Sequence, residues 1–359
     1  MISAGLAAAA SVSLVLSVVW VGQIRPLFSW AATGLTVFPG VQAPWVGGVR
    51  GEPMGPVLLS ASVMIDEDDL LWPNPWGTSA YVRDVTGTEI RRVPVADRGS
   101  NQPGRMVVSP DGRYVVVGSL ARVGAVRVID TSSGAERDVD LGAEGANTVP
   151  LDWSRDGSRF YAYSTVEVPR PGSGLGVGGL VTVEAATGTV RKVADLTGVT
   201  QVAPSPSGHQ LFLAGSGNAR IVDASTGGLL RVVSRERSVV FDAQPWSPEG
   251  RWIIGKRSND PGFTIVRFDA ASGSPQAPRE ILDVAGATGV AWASSDAYLI
   301  AQRRTTPAGE QGMYVSALDV RTGALRDVAT WLAGSAPLIV TDISIARDLA
   351  PRYFAAAPS

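Results

Sequence analysis

Residues 64–78 read MIDEDDLLWPNPWGT and set four consecutive carboxylates, Asp66, Glu67, Asp68 and Asp69, beside Trp72 and Trp76. Clustered carboxylates can attract a cation, and indoles offer large, rigid contact surface to a protein or a sugar ring. A calcium loop needs oxygen ligands at alternating positions, which an unbroken acidic run does not provide, so no metal is expected here. Two further stretches carry cations: KRSNDPG with Lys256 and Arg257, and QRRTTPAGEQG with Arg303 and Arg304. All of these are candidate binding residues. The same charges also suit a solvated loop surface.

Other chemistry is poorly supplied. The chain has no cysteine, which excludes disulfides, thiolate zinc sites and cysteine nucleophiles. Its one histidine, His209, follows an SPSG corner on the side away from those loops, so neither a Ser-His-Asp triad nor a histidine metal site is expected. The run GSGLGVGG at 172–179 sits between strands, without the helix a dinucleotide loop requires, and no cofactor is expected. Asp242 and Asp342 stand where first strands begin and could face a central channel as a carboxylate pair. The expectation is a non-enzymatic protein, with a glycosidase-like hydrolase using those two acids as the alternative.

Composition narrows the partners. Of 359 residues, 45% are apolar and 18% charged, and the net charge of −2 creates no basic field for nucleic acid. Residues 2–22 carry no charged side chain and, as a helix, would span roughly 30 Å, about a bilayer core. A cleaved signal has a basic start and a shorter apolar core, so an uncleaved anchor is expected. Arg25 pulls weakly toward a cytoplasmic C-terminal side. Residues 23–52 read as a Pro/Gly-interrupted linker, with Trp30 and Trp45 suited to a membrane interface. Scarce lysine beside abundant Ala, Gly, Val and Pro resembles the proteins of high-GC actinobacteria.

The elements that must hold these loops repeat. SPDGRYVVVGS at 109–119 returns as SRDGSRFYAYS from 154, SPSGHQLFLAGS from 205 and SPEGRWIIGKRS from 247, with a degenerate copy at Ser294–Ala297. A second series sets an acid before a glycine: DVTG at 84, DTSSG at 130, EAATG at 184, DASTG at 223, DAASG at 269 and DVRTG at 319. There the acid caps backbone N–H groups one or two residues on, and glycine accepts positive φ to close a hairpin. These glycines lie 47, 54, 39, 46 and 50 residues apart, the period of four-stranded propeller blades. Each unit reads as strand a, SPDG corner, strand b, variable loop, strand c, hairpin, strand d.

The first unit starts at Gly55-Pro-Val-Leu-Leu, which matches strand b, and its missing strand a lies at the far end. There Ile343–Asp348 lines up with Met106–Asp111. The prediction is an all-β, six-bladed propeller over residues 53–350, closed by a C-terminal strand, preceded by one transmembrane helix and followed by a tail at 351–359. Seven blades follow if Thr36–Val49 adds strands. The candidate residues then share the b–c loop face, while Trp153 and Trp246, equivalent before their corners, pack between blades.

The SPDG corner followed by an apolar strand resembles the WD-repeat-like units of the TolB-type propellers over nearly all the chain after residue 50. The repeated Gly-His and Trp-Asp signatures of true WD repeats are absent. An apolar N-terminal segment before such a propeller also resembles actinobacterial envelope proteins. That resemblance implies a membrane-tethered, extracytoplasmic binding or scaffolding module. It would meet a protein or glycan partner in the cell envelope, touch the membrane through residues 2–22 and bind no nucleic acid.

Overall fold

The computed structural model describes residues 36–38 and, between 55 and 349, all but 66–78, 85–89, 94–105, 119–123, 142–146, 167–175, 196–198, 216–217, 237–238, 242–243, 259–262, 276–278, 282–286, 306–310 and 333–337. These residues form an all-β propeller arrangement of six sheets. From strand a outward, the first sheet holds Leu338–Ile345, Val57–Ile65, Ser79–Asp84 and Ile90–Val93; the second holds Met106–Val108, Tyr114–Gly118, Ala125–Asp130 and Ala135–Asp140. The third has Asn147–Trp153, Arg159–Val166, Gly176–Glu184 and Val190–Asp195, and the fourth Val199–Pro204, Gln210–Gly215, Asn218–Asp223 and Leu229–Ser234. The fifth keeps Trp252–Ser258, Phe263–Asp269 and Arg279–Ile281. The sixth has Thr288–Trp292, Ala297–Thr305, Gln311–Asp319 and Leu325–Leu332, with Thr36–Phe38 added outside.

In the second to fifth sheets the apolar strands lack a polar alternate because both faces are covered. Val107 and Val116 point to one side and pack with Trp153, Phe160 and Val183 of the third sheet. Met106, Val108, Val115 and Val117 point to the other side and pack with Ala346. The period-2 geometry of a strand thus feeds two separate cores, one in each seam. Trp153 is fully buried, 6.0 Å from Tyr114 and 5.4 Å from Phe160, and Trp246 donates its indole N–H to the Ala203 carbonyl at 3.0 Å. Both pack between sheets, as expected from their position. Trp292 occupies the same place in the sixth sheet, against Tyr298.

Each corner is held by its serine. The hydroxyl oxygens of Ser109, Ser154, Ser205 and Ser247 accept the N–H five residues on, from Tyr114, Arg159, Gln210 and Trp252, at 2.9–3.1 Å. The glycine of each corner donates back to that serine's carbonyl, closing the turn. At the C-terminus Leu349 donates to the Ala346 carbonyl in the same way, so the residues aligned with the SPDG corner do form a corner. The strand before it pairs antiparallel with Val57–Ile65, Ile345 lying opposite Leu59. Strands a abut in turn: Leu338–Ile345 against Met106–Val108, that against Asn147–Trp153, and that against Val199–Pro204. Thr288–Trp292 lies against Leu338–Ile345 from the other side.

Two places differ from the repeat pattern. In the fifth sheet the expected strand a is reduced to bridges, Val240 with Lys256 and Trp246 with Ile253. Pro245 sits within it and has no N–H to donate to a ladder, although its carbonyl accepts from Ile254. A Cβ on Gly255 would stand 2.6 Å from Val239, so the missing side chain lets this segment approach. Residues 36–38, expected within a linker, form a short strand parallel to Ala329–Trp331 on the outer edge of the sixth sheet rather than a sheet of their own. The expected anchor, residues 2–22, lies outside the described residues; among those described, no helix is long and apolar enough to cross a membrane.

Candidate binding face

Asp66, Glu67, Asp68, Asp69, Trp72 and Trp76 fall on the segment from 66 to 78, outside the described residues. Their placement in sequence is nevertheless bracketed: Val57–Ile65 ends and Ser79–Asp84 begins on either side, so the stretch joins strands b and c. The cationic stretches have the same relation to their sheets. Lys256 and Arg257 end the strand Trp252–Ser258, and Arg303 and Arg304 end Ala297–Thr305. The glycine-rich run is shorter as a loop than the sequence suggests, because Gly176 and Val177 already pair with Val166 and Thr165. Glycine lacks a side chain, not backbone hydrogen-bonding groups, so it can still extend a ladder.

Alternation assigns Lys256, Arg257 and Arg304 a side. Ile253 packs in the seam with the fourth sheet and Ile254 in the seam with the sixth. Arg257 therefore faces the fourth sheet, where its guanidinium pairs with Glu236, just beyond Leu229–Ser234. Lys256 faces the sixth sheet. Arg304 is on the same face as Ile300, which packs in that same seam. Its guanidinium stacks 4.0 Å from the Tyr314 ring and pairs with Asp327, whose carboxylate also accepts the Ser316 hydroxyl at 2.7 Å. The backbone of Arg303 lies opposite Met313.

The loop ends of the fifth and sixth sheets thus carry cation, ring and carboxylate where the rest of each seam is apolar. Arg304 and Asp327 are each about one-third exposed, enough to reach a ligand from a fixed position. Tyr314, Asp327 and Glu236 were not singled out by sequence reasoning. A usable signal existed: each is a polar residue in or next to a strand where packing calls for apolar ones. Their partners, however, are 10 to 23 residues away, and spacing alone cannot pair them.

On the opposite face, a cleft of about 560 Å³ lies between the corners of the second and third sheets, lined by Asp111, Arg113, Tyr114, Asp156, Arg159 and Glu184 among others. Its aspartates serve the corners. Asp111 accepts the Ser109 hydroxyl at 2.6 Å, and Asp156 accepts the hydroxyls of Ser154 and Ser158. The Ser154 hydroxyl bond, followed by the Ser158 N–H, holds the Asp156 carboxyl below its ordinary range. Such a group stays ionised and is a poor general acid. Of the alternative carboxylate pair, Asp242 lies outside the described residues, and the backbone of Asp342 is opposite Ser62 beside a register shift. Among the described residues, no cluster of acids and histidines could hold a metal ion.

No family model matches the sequence, and no curated protein matches it. Solved structures do match the fold. TolB from Acinetobacter baumannii superposes with a TM-score of 0.53 at 15% identity, over 80% of this chain and 66% of that one. An oligogalacturonate lyase in complex with manganese superposes with a TM-score of 0.51 at 11% identity, over 78% of this chain and 86% of that one. The chain therefore spans just under two thirds of the length of the Acinetobacter protein. At such identities the likeness concerns the fold, which hosts binders and enzymes alike. With its serine-anchored corners, acid-glycine hairpins and seam-by-seam cores, the chain has the fold of the TolB-type β-propellers.

Proposed function

We propose that this protein is a non-enzymatic binding or scaffolding module. In this reading its six sheets are the blades of one ring closed by Leu338–Ile345, tethered to the membrane by residues 2–22 and facing the extracytoplasmic side of the envelope. The b–c loop face meets a protein or glycan through Trp72, Trp76 and Arg303, beside the acidic run Asp66–Asp69 and near Lys256. The observation that carries it is the Arg304–Tyr314–Asp327 cluster, a preorganised and partly exposed polar group at the loop end of an otherwise apolar seam. Preorganisation lowers the ordering cost of binding. The propeller fold shared with TolB supports the same class of role.

Binding of the full chain to a glycan panel, and crosslinking in intact envelopes, tests this reading. Trp72→Ala/Trp76→Ala and Arg303→Ala are expected to lose the ligands that the wild type retains. Full retention of every ligand by both variants counts against the face. The fold shared with the lyase keeps a hydrolase at Asp242 and Asp342 as the alternative. Glycan turnover abolished in Asp242→Asn/Asp342→Asn would establish it instead. Protease accessibility on intact cells reports which side of the membrane the propeller occupies.

A further inference from the structure

The outer strand of each propeller sheet is an edge, and an unprotected edge pairs with any strand that reaches it. Most of the described outer strands are protected. Ala135–Asp140 reads AERDVD, and Val190–Asp195 exposes Arg191 and Lys192. Ile90–Val93 and Arg279–Ile281 are only four and three residues long and carry charges. Leu325–Leu332 is covered over Ala329–Trp331 by Thr36–Phe38. In the fourth sheet Leu229–Ser234 has a single charge, Arg231, which reaches to the next sheet, and its other side chains leave the edge apolar: Leu229 is 62% exposed, Leu230 45% and Val232 37%.

The strand is also fixed in place. Val222, Ile221 and Arg220 of the neighbouring strand lie opposite Leu229, Arg231 and Val232, so Leu230 is the extra residue of a bulge. Bulges at sheet edges re-aim a side chain, here adding a third apolar contact. Arg231 reaches across to the Ala270 carbonyl of the next sheet, which pins the edge. Exposed guanidiniums lie at one end of the stripe, Arg220 opposite Val232 on the neighbouring strand and Arg235 just after Ser234, and among the described residues neither has an acidic partner. The nearby carboxylates are engaged, Asp223 by its own hairpin and Glu236 by Arg257. The stripe is therefore apolar, with positive charge gathered at the end that holds Val232 and Ser234.

We propose that Leu229–Ser234 is a docking edge that receives an extended segment of a protein partner by β-strand addition. The segment would carry apolar residues at alternate positions, packing on Leu229 and Val232, and carboxylates at the end that meets Arg220 and Arg235. Backbone hydrogen bonds along the edge supply affinity and the side chains supply specificity. The molecule already uses strand addition once, where Thr36–Phe38 extends the sixth sheet. This edge is separate from the loop face and does not depend on what that face binds.

The probe is a fluorescein-labelled peptide DEVTLTVTEE, titrated into the full chain and followed by anisotropy, with KKVTLTVTKK as its charge-reversed control. Saturable binding is expected for the acidic peptide, weaker by about tenfold or more for the basic one and for Val232→Asp or Arg220→Glu. Amides of residues 229–234 should gain hydrogen-exchange protection with the wild type, a readout that needs no variant. Trp72→Ala/Trp76→Ala should leave the peptide affinity unchanged, which separates this edge from the loop face. Absence of saturable binding, or equal affinity for the two peptides, overturns the proposal. So does dimerisation of the chain, or sedimentation with phosphatidylglycerol vesicles, if Val232→Asp abolishes it, because the edge then serves a second copy or a lipid surface.

Discussion

At Asp223 one carboxylate oxygen accepts the N–H and hydroxyl of Ser225 and those of Thr226. These bonds, the Ser225 hydroxyl first and the Thr226 N–H next, hold the carboxyl from an ordinary 3.8 down to about 2. Because the folded value is the depressed one, the stabilisation is complete above about pH 4 and is lost as pH falls toward 2. Carbon-detected NMR titration should place Asp223 near 2, and Asp223→Asn should flatten the pH dependence of stability across that window. A midpoint in the ordinary carboxylate range would contradict the cap. The hairpin acids were legible in the sequence because their partners are two or three residues on, slightly further than the one or two expected. Arg304 was legible only as a charge, since the carboxylate that orients it belongs to another strand.

Hairpins of one element type differ in what surrounds them. Gly227 and Gly273 close equivalent turns at φ of +70° and +74°. A Cβ on Gly227 meets nothing within 4 Å, whereas on Gly273 it would lie 2.6 Å from the Val232 carbonyl oxygen. Gly227→Ala should therefore cost only the left-handed backbone penalty, about 1–2 kcal/mol. Gly273→Ala should cost clearly more, because backbone on the adjoining sheet would have to move. Urea unfolding of the two variants measures the difference, and equal losses would show that the hairpin does not press on its neighbour. Sequence alone cannot rank these glycines, since both obey the same turn chemistry and the difference comes from an adjacent sheet. The reduced strand a of the fifth sheet is an intermediate case: Pro245 is visible in the sequence, but Val239 packing over Gly255 is not.

The whole molecule is joined through its C-terminal corner. Ser344 accepts the Val108 N–H at 3.0 Å, Asp348 donates to the Pro110 carbonyl, and Arg347 donates to the Trp153 carbonyl at 2.8 Å and lies 3.4 Å from Asp152. One short segment thus ties the first, second and third sheets together. Removing residues 338–359 should leave Val57–Ile65 with an unpaired edge and yield aggregated protein on size exclusion, as exposed edges do. Arg347→Ala keeps the strand but removes the guanidinium from the Trp153 carbonyl and from Asp152, so its unfolding free energy should fall by about 1–3 kcal/mol. A soluble, cooperatively unfolding truncation would show that the ring does not depend on this closure.

Repeated corners, acid-glycine hairpins and the displaced first strand determined the architecture from sequence alone. Each is a local pattern: a serine reaching five residues on, an acid reaching two or three, a run of valines that can only be a strand covered on both faces. Tertiary structure decided which side chains meet across seams, from Trp246 with Ala203 to Arg304 with Asp327. It also decided that Thr36–Phe38 adds a strand to one outer edge while Leu229–Ser234 keeps exposed leucines at another. Those outcomes depend on which strands become neighbours when the sheets assemble, and spacing along the chain carries no information about contacts made only by that assembly.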